Sequence, residues 1–233
     1  MNKESLESAN KDLESYLSII KHDLRSPIIN IIQFADLLEK HHAHKLDEDG
    51  QDIIKRIYNI GQKTNRLLND LFKLIEISKS PNCYQYVDSR QLIDRAIERN
   101  ELEIKEKKAD ILIDENMPVV YCDPAKIREV FFNLISNSVK FSSPNQPVKI
   151  RIGCAEHEEY YEFYVKDNGI GIAPNHHEKI FKLFSRLNPR SSQPGSGAGL
   201  HMAKRIVEDH GGNIRLDSAS GEGSTFFFTL NKK

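Results

Sequence analysis

The sequence predicts two architectures in one chain: a helical hairpin, followed by an α/β sandwich with a mixed sheet. Three observations carry this reading. Apolar residues recur at helical spacing over residues 5–40 and again over 50–78. A break in composition follows, SKSPNCYQYVDSR at 78–90. Beyond it, helical patterns interleave with short runs rich in β-branched and aromatic residues.

The first helix is drawn by Leu6, Leu13, Leu17, Ile20, Leu24, Ile28, Ile31, Ala35 and Leu38. Pro27 falls inside this pattern, which predicts a kink rather than a stop. A turn is expected around KHHAHKLDEDG, with His41, His42 and His44 as solvated turn residues. The second helix carries Ile53, Ile54, Ile57, Ile60, Thr64, Leu67, Leu68, Leu71, Leu74 and Ile75. A lone hairpin cannot cover its apolar stripe, so a second copy is the simplest partner, giving a dimeric four-helix bundle. Packing against the rest of its own chain is the alternative.

The break at 78–90 divides the chain into a hairpin domain, 1–80, and a second domain, 81–233. In the latter, helical patterns are expected at 89–107, 124–141 and 199–210. Strands are expected at 110–114, 118–121, 147–153, 160–166, 213–217 and 224–230. The adjacent strands within 147–166 argue for a mixed sheet with helices on one face.

Composition narrows the setting. Among 233 residues, 39% are hydrophobic and 29% charged, the balance of a soluble globular protein. The net charge of -1 offers no basic field for nucleic acid. Cys83, Cys122 and Cys154 form no CxxC pair and no disulfide framework, which fits a reducing compartment. No apolar run reaches membrane-spanning length, and MNKESLESANKDLES lacks the apolar core of a signal peptide. The expectation is a cytoplasmic chain without membrane insertion.

The stretch SIIKHDLRSPIINII, 18–32, places a histidine, His22, in an apolar helix. At about 100° per residue, His22 lies about 200° from both Ile20 and Leu24, so it points away from the apolar stripe. Arg25, Ser26 and Ile29 share its face. A neutral imidazole is a nucleophile, and a carboxylate that accepts from one ring nitrogen leaves the other with its lone pair exposed. Asp23 is placed for this. The residues alone leave open whether it acts so or is a solvated surface acid, and whether His22 itself is reactive or merely solvated.

Four further patterns point to a nucleotide pocket. NLISNSVKFS sets Asn133, Asn137 and Lys140 on one helix face, where an amide oxygen suits Mg²⁺ and an amide and an ammonium suit phosphate. DNGIGI sets Asp167, Gly169 and Gly171 after a strand, an acceptor beside tight backbone and suited to an adenine amino group. IFKLFSRL carries Phe181 and Phe184. GSGAGL, with Gly195, Gly197 and Gly199, opens a helix whose backbone N–H groups can approach phosphates. It is neither a dinucleotide fingerprint nor a Walker loop: the third glycine of GxGxxG would fall at Leu200, and no GK[ST] follows.

Together these residues resemble the sensor histidine kinases of two-component signalling. HDLRSP resembles the family's H box; NLISNSVKFS, DNGIGI, IFKLFSRL and GSGAGL resemble its N, G1, F and G2 boxes, in the family's order and over nearly the whole chain. The resemblance implies a homodimer in which His22 accepts the γ-phosphoryl of ATP, activated by Asp23, and passes it to an aspartate of a response-regulator receiver domain. It implies Asn133 as Mg²⁺ ligand, Asn137 and Lys140 at the phosphates, Asp167 at the adenine amino group and Gly169 and Gly171 shaping that pocket. Phe184 would lie at the nucleotide, Gly195, Gly197 and Gly199 would flank the triphosphate, and residues 185–194 would be the ATP lid. The segment 78–90 would act as hinge.

This chain departs from the family's pattern twice. Ser26 stands where Thr or Asn is usual, which implies weak phosphatase action, and Ala198 where Leu is usual. Two rival readings use the same features: a gyrase- or chaperone-like conformational ATPase, and a non-catalytic dimerisation and docking module.

Overall fold

The computed structural model describes residues 3–143, 146–187 and 195–233, and only the backbone of residues 3–20 and His22. The chain forms two compact units, Met1–Lys73 and Leu74–Lys233.

The first unit is the hairpin. Helix α1 spans Lys3–His42 with Pro27 inside it, and helix α2 spans Glu48–Lys79. Leu6, Leu13, Leu17 and Ile20 of the expected stripe lie outside the described side chains. Two cross-helix contacts set the register. A side chain on Gly61 would run into Ile32, so the missing Cβ lets the helices close up there. The second contact lies the same number of residues away on each helix, back along α1 and forward along α2. There the Lys21 ammonium is 5.8 Å from the centre of the Phe72 ring. The helices therefore run antiparallel, and His22 sits level with the turn of α2 around Leu71 and Phe72.

Ala35, Ile54 and Phe72 are buried, but Leu24, Ile31, Phe34, Leu37, Leu38, Ile53, Ile57 and Ile60 are exposed. The hairpin thus covers one side of its apolar surface and leaves another open. His41, His42 and His44 at the turn are all exposed, and no metal-ligating cluster is found among the described residues. Also among the described residues, no helix is long and apolar enough to cross a membrane.

The second unit is a sandwich of helices on a sheet. After β1 (Gln85–Asp88) come α3 (Ser89–Arg99), α4 (Glu101–Lys107), β2 (Asp110–Ile113), β3 (Val119–Cys122) and α5 (Pro124–Lys140). Then come β4 (Lys149–Glu156), β5 (Tyr160–Asp167), α6 (Gly199–Asp209), β6 (Ile214–Ser218) and β7 (Ser224–Asn231). Five strands form a mixed sheet in the order β2-β4-β5-β7-β6, with β2 and β4 parallel and the other pairs antiparallel. β1 pairs antiparallel with β3 in a separate two-stranded sheet.

Strict alternation along β7 buries Phe226, Phe228 and Leu230 on one face. Opposite them, α5 buries Ile127, Val130, Phe131, Leu134 and Ile135, while α6 buries Met202, Ala203, Ile206 and Val207. Phe131 meets Phe163 and Phe228 edge-on, at 5.6 and 5.2 Å between ring centres, and the latter two stack at 5.2 Å.

Two details differ from the sequence-based expectation. The helix expected over 89–107 breaks at Asn100, whose buried amide donates to the Ala96 carbonyl at 2.9 Å. The segment 78–90 is also structured: it holds the end of α2 and β1.

Candidate active site

Helix α5 is the spine of the pocket. Asp123 accepts from the Ala125 and Lys126 N–H groups at 3.0 and 3.1 Å, and Pro124 occupies the first helical position. That cap fixes where the helix starts and hence its phase. The phase sends the apolar side chains inward and leaves Asn133, Asn137 and Lys140 half-buried along one edge.

The Asn133 amide donates to the Glu129 carbonyl one turn back, at 2.9 Å. Its Oδ1 is thereby turned to the start of α6, where a Cβ on Gly199 would lie 2.8 Å from it. At the other end of the row, the Lys140 ammonium lies 5.0 Å from the centre of the Phe141 ring and fills the place of a side chain on Gly195. The outer glycines of GSGAGL are thus pressed against the first and last residues of the polar row. Gly197 has φ +81°, and its Cβ would lie 2.5 Å from the Ser185 carbonyl oxygen. Phe184 beside it is exposed and also left-handed, φ +57°. Residues 188–194 of the expected lid lie outside the described residues.

Asp167 ends β5 and is buried. Its Oδ1 accepts from the N–H groups of Gly169 and Ser224, at 2.8 and 3.2 Å, and its Oδ2 from the Ser138 hydroxyl at 3.1 Å. Burial raises its pKa above the ordinary carboxylate value, while these donors pull the other way. Gly169 lies against the Phe141 carbonyl, which would be 2.5 Å from a Cβ and which accepts from Ile170 N–H at 3.0 Å.

Gly171 has φ +67°, and its Cβ would collide with the Ala219 carbonyl oxygen. Backbone strain and collision act together there. Gly171→Ala is expected to cost on the order of 2 kcal/mol or more, read as a fall of several degrees in the thermal midpoint of the chain.

The structure brings Asn133, Lys140, Asp167, Gly169, Gly195 and Gly199 together along the C-terminal half of α5, while Gly171 lies against Ala219 and Gly197 against Ser185. Sequence reasoning missed three contributors: Ser138, the Phe141 carbonyl and the Ser224 N–H. Ser138 carried a usable signal, since a polar residue four places after Leu134 lies in phase with the buried stripe. The pair of Arg99 with Glu129, at 2.7 Å, joins α3 to α5 beside this row, with the guanidinium 3.8 Å from the centre of the Phe132 ring.

His22, Asp23 and Ser26 lie on α1 in the first unit. Asp23, Arg25 and Ser26 are exposed, and the His22 side chain lies outside the described residues. Cys122 and Cys154 take no part in the pocket; burial pushes both thiols up to about 12, which keeps them protonated.

Comparison with known proteins gives two domain matches. Residues 12–78 match the His Kinase A (phospho-acceptor) domain, and residues 122–233 match the histidine kinase-, DNA gyrase B-, and HSP90-like ATPase domain. The phytochrome-like protein Cph1 of Synechocystis sp. is 35% identical over 97% of this chain and 30% of its own length. Cyanobacterial phytochrome B of Nostoc sp. is 37% identical over the same shares. The methanogenesis regulatory histidine kinase FilI of Methanothrix harundinacea is 31% identical over 97% of this chain and 25% of its own. The chain thus spans about a third or less of these relatives.

Among solved structures, full-length ShkA superposes with a TM-score of 0.68 over 93% of this chain and 45% of that one, at 22% identity. The Acinetobacter baumannii histidine kinase AdeS gives 0.63 over 91% of this chain and 98% of that one, also at 22% identity. Two domain matches in family order, on a hairpin followed by a mixed-sheet sandwich, make this chain a member of the sensor histidine kinases, with a phospho-acceptor domain and an ATP-binding domain.

Proposed function

We propose that the chain binds Mg-ATP, phosphorylates itself on His22 and passes the phosphoryl group to an aspartate of a response-regulator receiver domain. The observation that carries this reading is the joining of Asn133 to Gly199 and of Lys140 to Gly195 along α5, in a chain that also holds HDLRSP on α1. Two motifs far apart in the sequence thus line one edge of α5.

Within that edge, Lys140 and the glycine backbone meet phosphate charge, with Asn137 between, and Asp167 takes the adenine amino group. Phe184 and the turn at Gly169 and Gly171 close around the nucleotide. Asn133 fits a metal role: its amide is engaged by the Glu129 carbonyl, so a hard carbonyl oxygen is what it presents. When bound, Mg²⁺ neutralises phosphate charge.

A lone pair on an imidazole nitrogen of His22 forms the bond to the γ-phosphorus. The bond from that phosphorus to its bridging oxygen breaks, and ADP leaves with the electron pair. Asp23 accepts a hydrogen bond from the other ring nitrogen and so fixes the tautomer. Ser26, one turn on, faces the zone from which a phosphorylated receiver would be hydrolysed, with a hydroxyl that lacks the restraint of a threonine methyl. The three unpaired cysteines suit action in the reducing cytoplasm. The test is incubation with Mg-ATP and location of acid-labile phosphate by mass spectrometry; label absent from His22 defeats the proposal.

The open apolar side of the hairpin supports a homodimer. Phe34 and Ile60 are 64% and 65% exposed, a large apolar area for a free surface. Sedimentation at micromolar concentration is expected to give a dimer, and Phe34→Asp with Ile60→Asp is expected to give a monomer.

A further inference from the structure

Helix α2 begins in the first unit, but its last turn, from Leu74, belongs to the second. That turn and the residues after it are tied to the N-terminus of α5. The Lys126 ammonium, with the residue only 7% exposed, donates to the carbonyls of Ile77 and Ser80 at 3.0 and 2.7 Å and to Asn82 Oδ1 at 2.6 Å. Three acceptors match its three donors, which is what a buried ammonium requires. Ile77 lies in the last turn of α2 and Ser80 directly follows it, so neither carbonyl has a partner inside that helix.

Asp123, the cap of α5, holds the next residue: its Oδ2 accepts from Cys83 N–H at 2.9 Å. The Asn82 amide reaches the Asp209 carbonyl at the end of α6, at 3.3 Å. Tyr84 stacks on Tyr121 at 5.4 Å and meets the buried His210 edge-on at 5.2 Å. β1 then pairs with β3. Residues 77–88 are therefore fastened within the second unit.

The same helix carries the candidate nucleotide residues. Lys126 and Asn133 are seven residues apart, nearly two full turns and roughly 10 Å of rise. They lie on nearly one face of a rigid rod.

We propose that Lys126 is a positioning residue for autophosphorylation. It fixes the exit of α2 to the helix that holds ATP, and the bend that brings ATP to His22 is taken up before Ile77 rather than within 78–90. This rests on the kinase reading above. Loss of the ammonium would leave the nucleotide pocket intact while loosening where α2 leaves it, so it would slow transfer without weakening ATP binding.

The test uses the full chain with three variants: Lys126→Met, which keeps the apolar stem, Lys126→Arg, which keeps the charge, and Asn82→Ala, which removes one acceptor. Lys126→Met is expected to lower kcat for autophosphorylation at least tenfold, with KM for ATP within twofold and faster hydrogen exchange at residues 77–84. Lys126→Arg is expected to recover most of the rate, and Asn82→Ala to show a smaller loss of the same kind. A Lys126→Met rate within twofold of the parent overturns the proposal, whatever exchange shows. So does a loss of ATP affinity and thermal stability in step with the rate across the variants, which would mark a structural role alone. A parent chain that makes no phosphohistidine overturns the kinase reading and this proposal with it, whereas an active parent with an unaffected Lys126→Met overturns this proposal alone.

Discussion

His22→Gln is expected to abolish autophosphorylation while leaving ATP affinity within about twofold of the parent. Glutamine is a good helix former, so α1 should persist through the substitution. Its amide nitrogen has no free lone pair, so it cannot attack phosphorus as an imidazole nitrogen does. The residues assigned to the nucleotide lie on α5, at the end of β5 and at the start of α6, all in the second compact unit, whereas His22 lies in the first. Loss of the acceptor should therefore appear as loss of product alone. The measurement pairs acid-labile phosphate by mass spectrometry with a nucleotide titration. Phosphohistidine that persists in the variant would place the acceptor elsewhere among the nine histidines. ATP binding that disappears with it would show that α1 takes part in the pocket.

The residues that were legible in the sequence are those whose signal is local. The hairpin follows from periodicity, because Ile28, Ala35 and Ile54 fall on helical spacing whatever lies across from them, although buried Phe72 was left out of the stripe. The row Asn133, Asn137 and Lys140 could be read for the same reason, at i, i+4 and i+7 on one helix. What pairs with that row could not. That Gly199 abuts Asn133 and Gly195 abuts Lys140 depends on how α6 is packed against α5, and no spacing along the chain encodes it. The break at Asn100 was hidden because its cause, an amide bonding back to Ala96 in a buried position, resembles an ordinary polar helix residue. β1 was hidden because four residues following Pro81 give too short an alternation to read, and its stability comes from β3, more than thirty residues on. The fastening of residues 77–84 shows the same limit. Pro81 and Asn82 read as a loose linker, yet Lys126 and Asp123 supply the partners from a distant helix.

Asp167→Asn is expected to weaken ATP binding at least tenfold while leaving the fold as stable as the parent or more so. Asparagine has the same shape and can keep most of the local bonds. Its Oδ1 still accepts from Gly169 and Ser224 N–H, and its amide can donate to Ser138 Oγ, whose own proton, released from residue 167, can turn to the Leu134 carbonyl 3.1 Å away. Toward the nucleotide the exchange is not neutral. An acceptor for the adenine amino group becomes an N–H donor facing another donor, and a bond of the charged class, worth roughly 1.5–3 kcal/mol, is lost. Stability moves the other way for a reason that fixes its pH dependence. Burial raises the pKa of Asp167 above the ordinary value of 3.8 despite its three donors, so the folded chain holds that proton more readily than the unfolded chain does. Such a group adds stability as pH falls from its folded pKa toward 3.8, and its charged form costs stability at neutral pH. The amide of the variant carries no charge to bury, so the variant's advantage in thermal midpoint should be greatest near neutral pH and shrink as the solution is acidified toward the ordinary carboxylate range. A variant that binds ATP as the parent does would remove Asp167 from the adenine site. One that melts lower at neutral pH, with a gap that closes on acidification, would mean that the ionised carboxylate stabilises the fold through bonds an amide cannot replace.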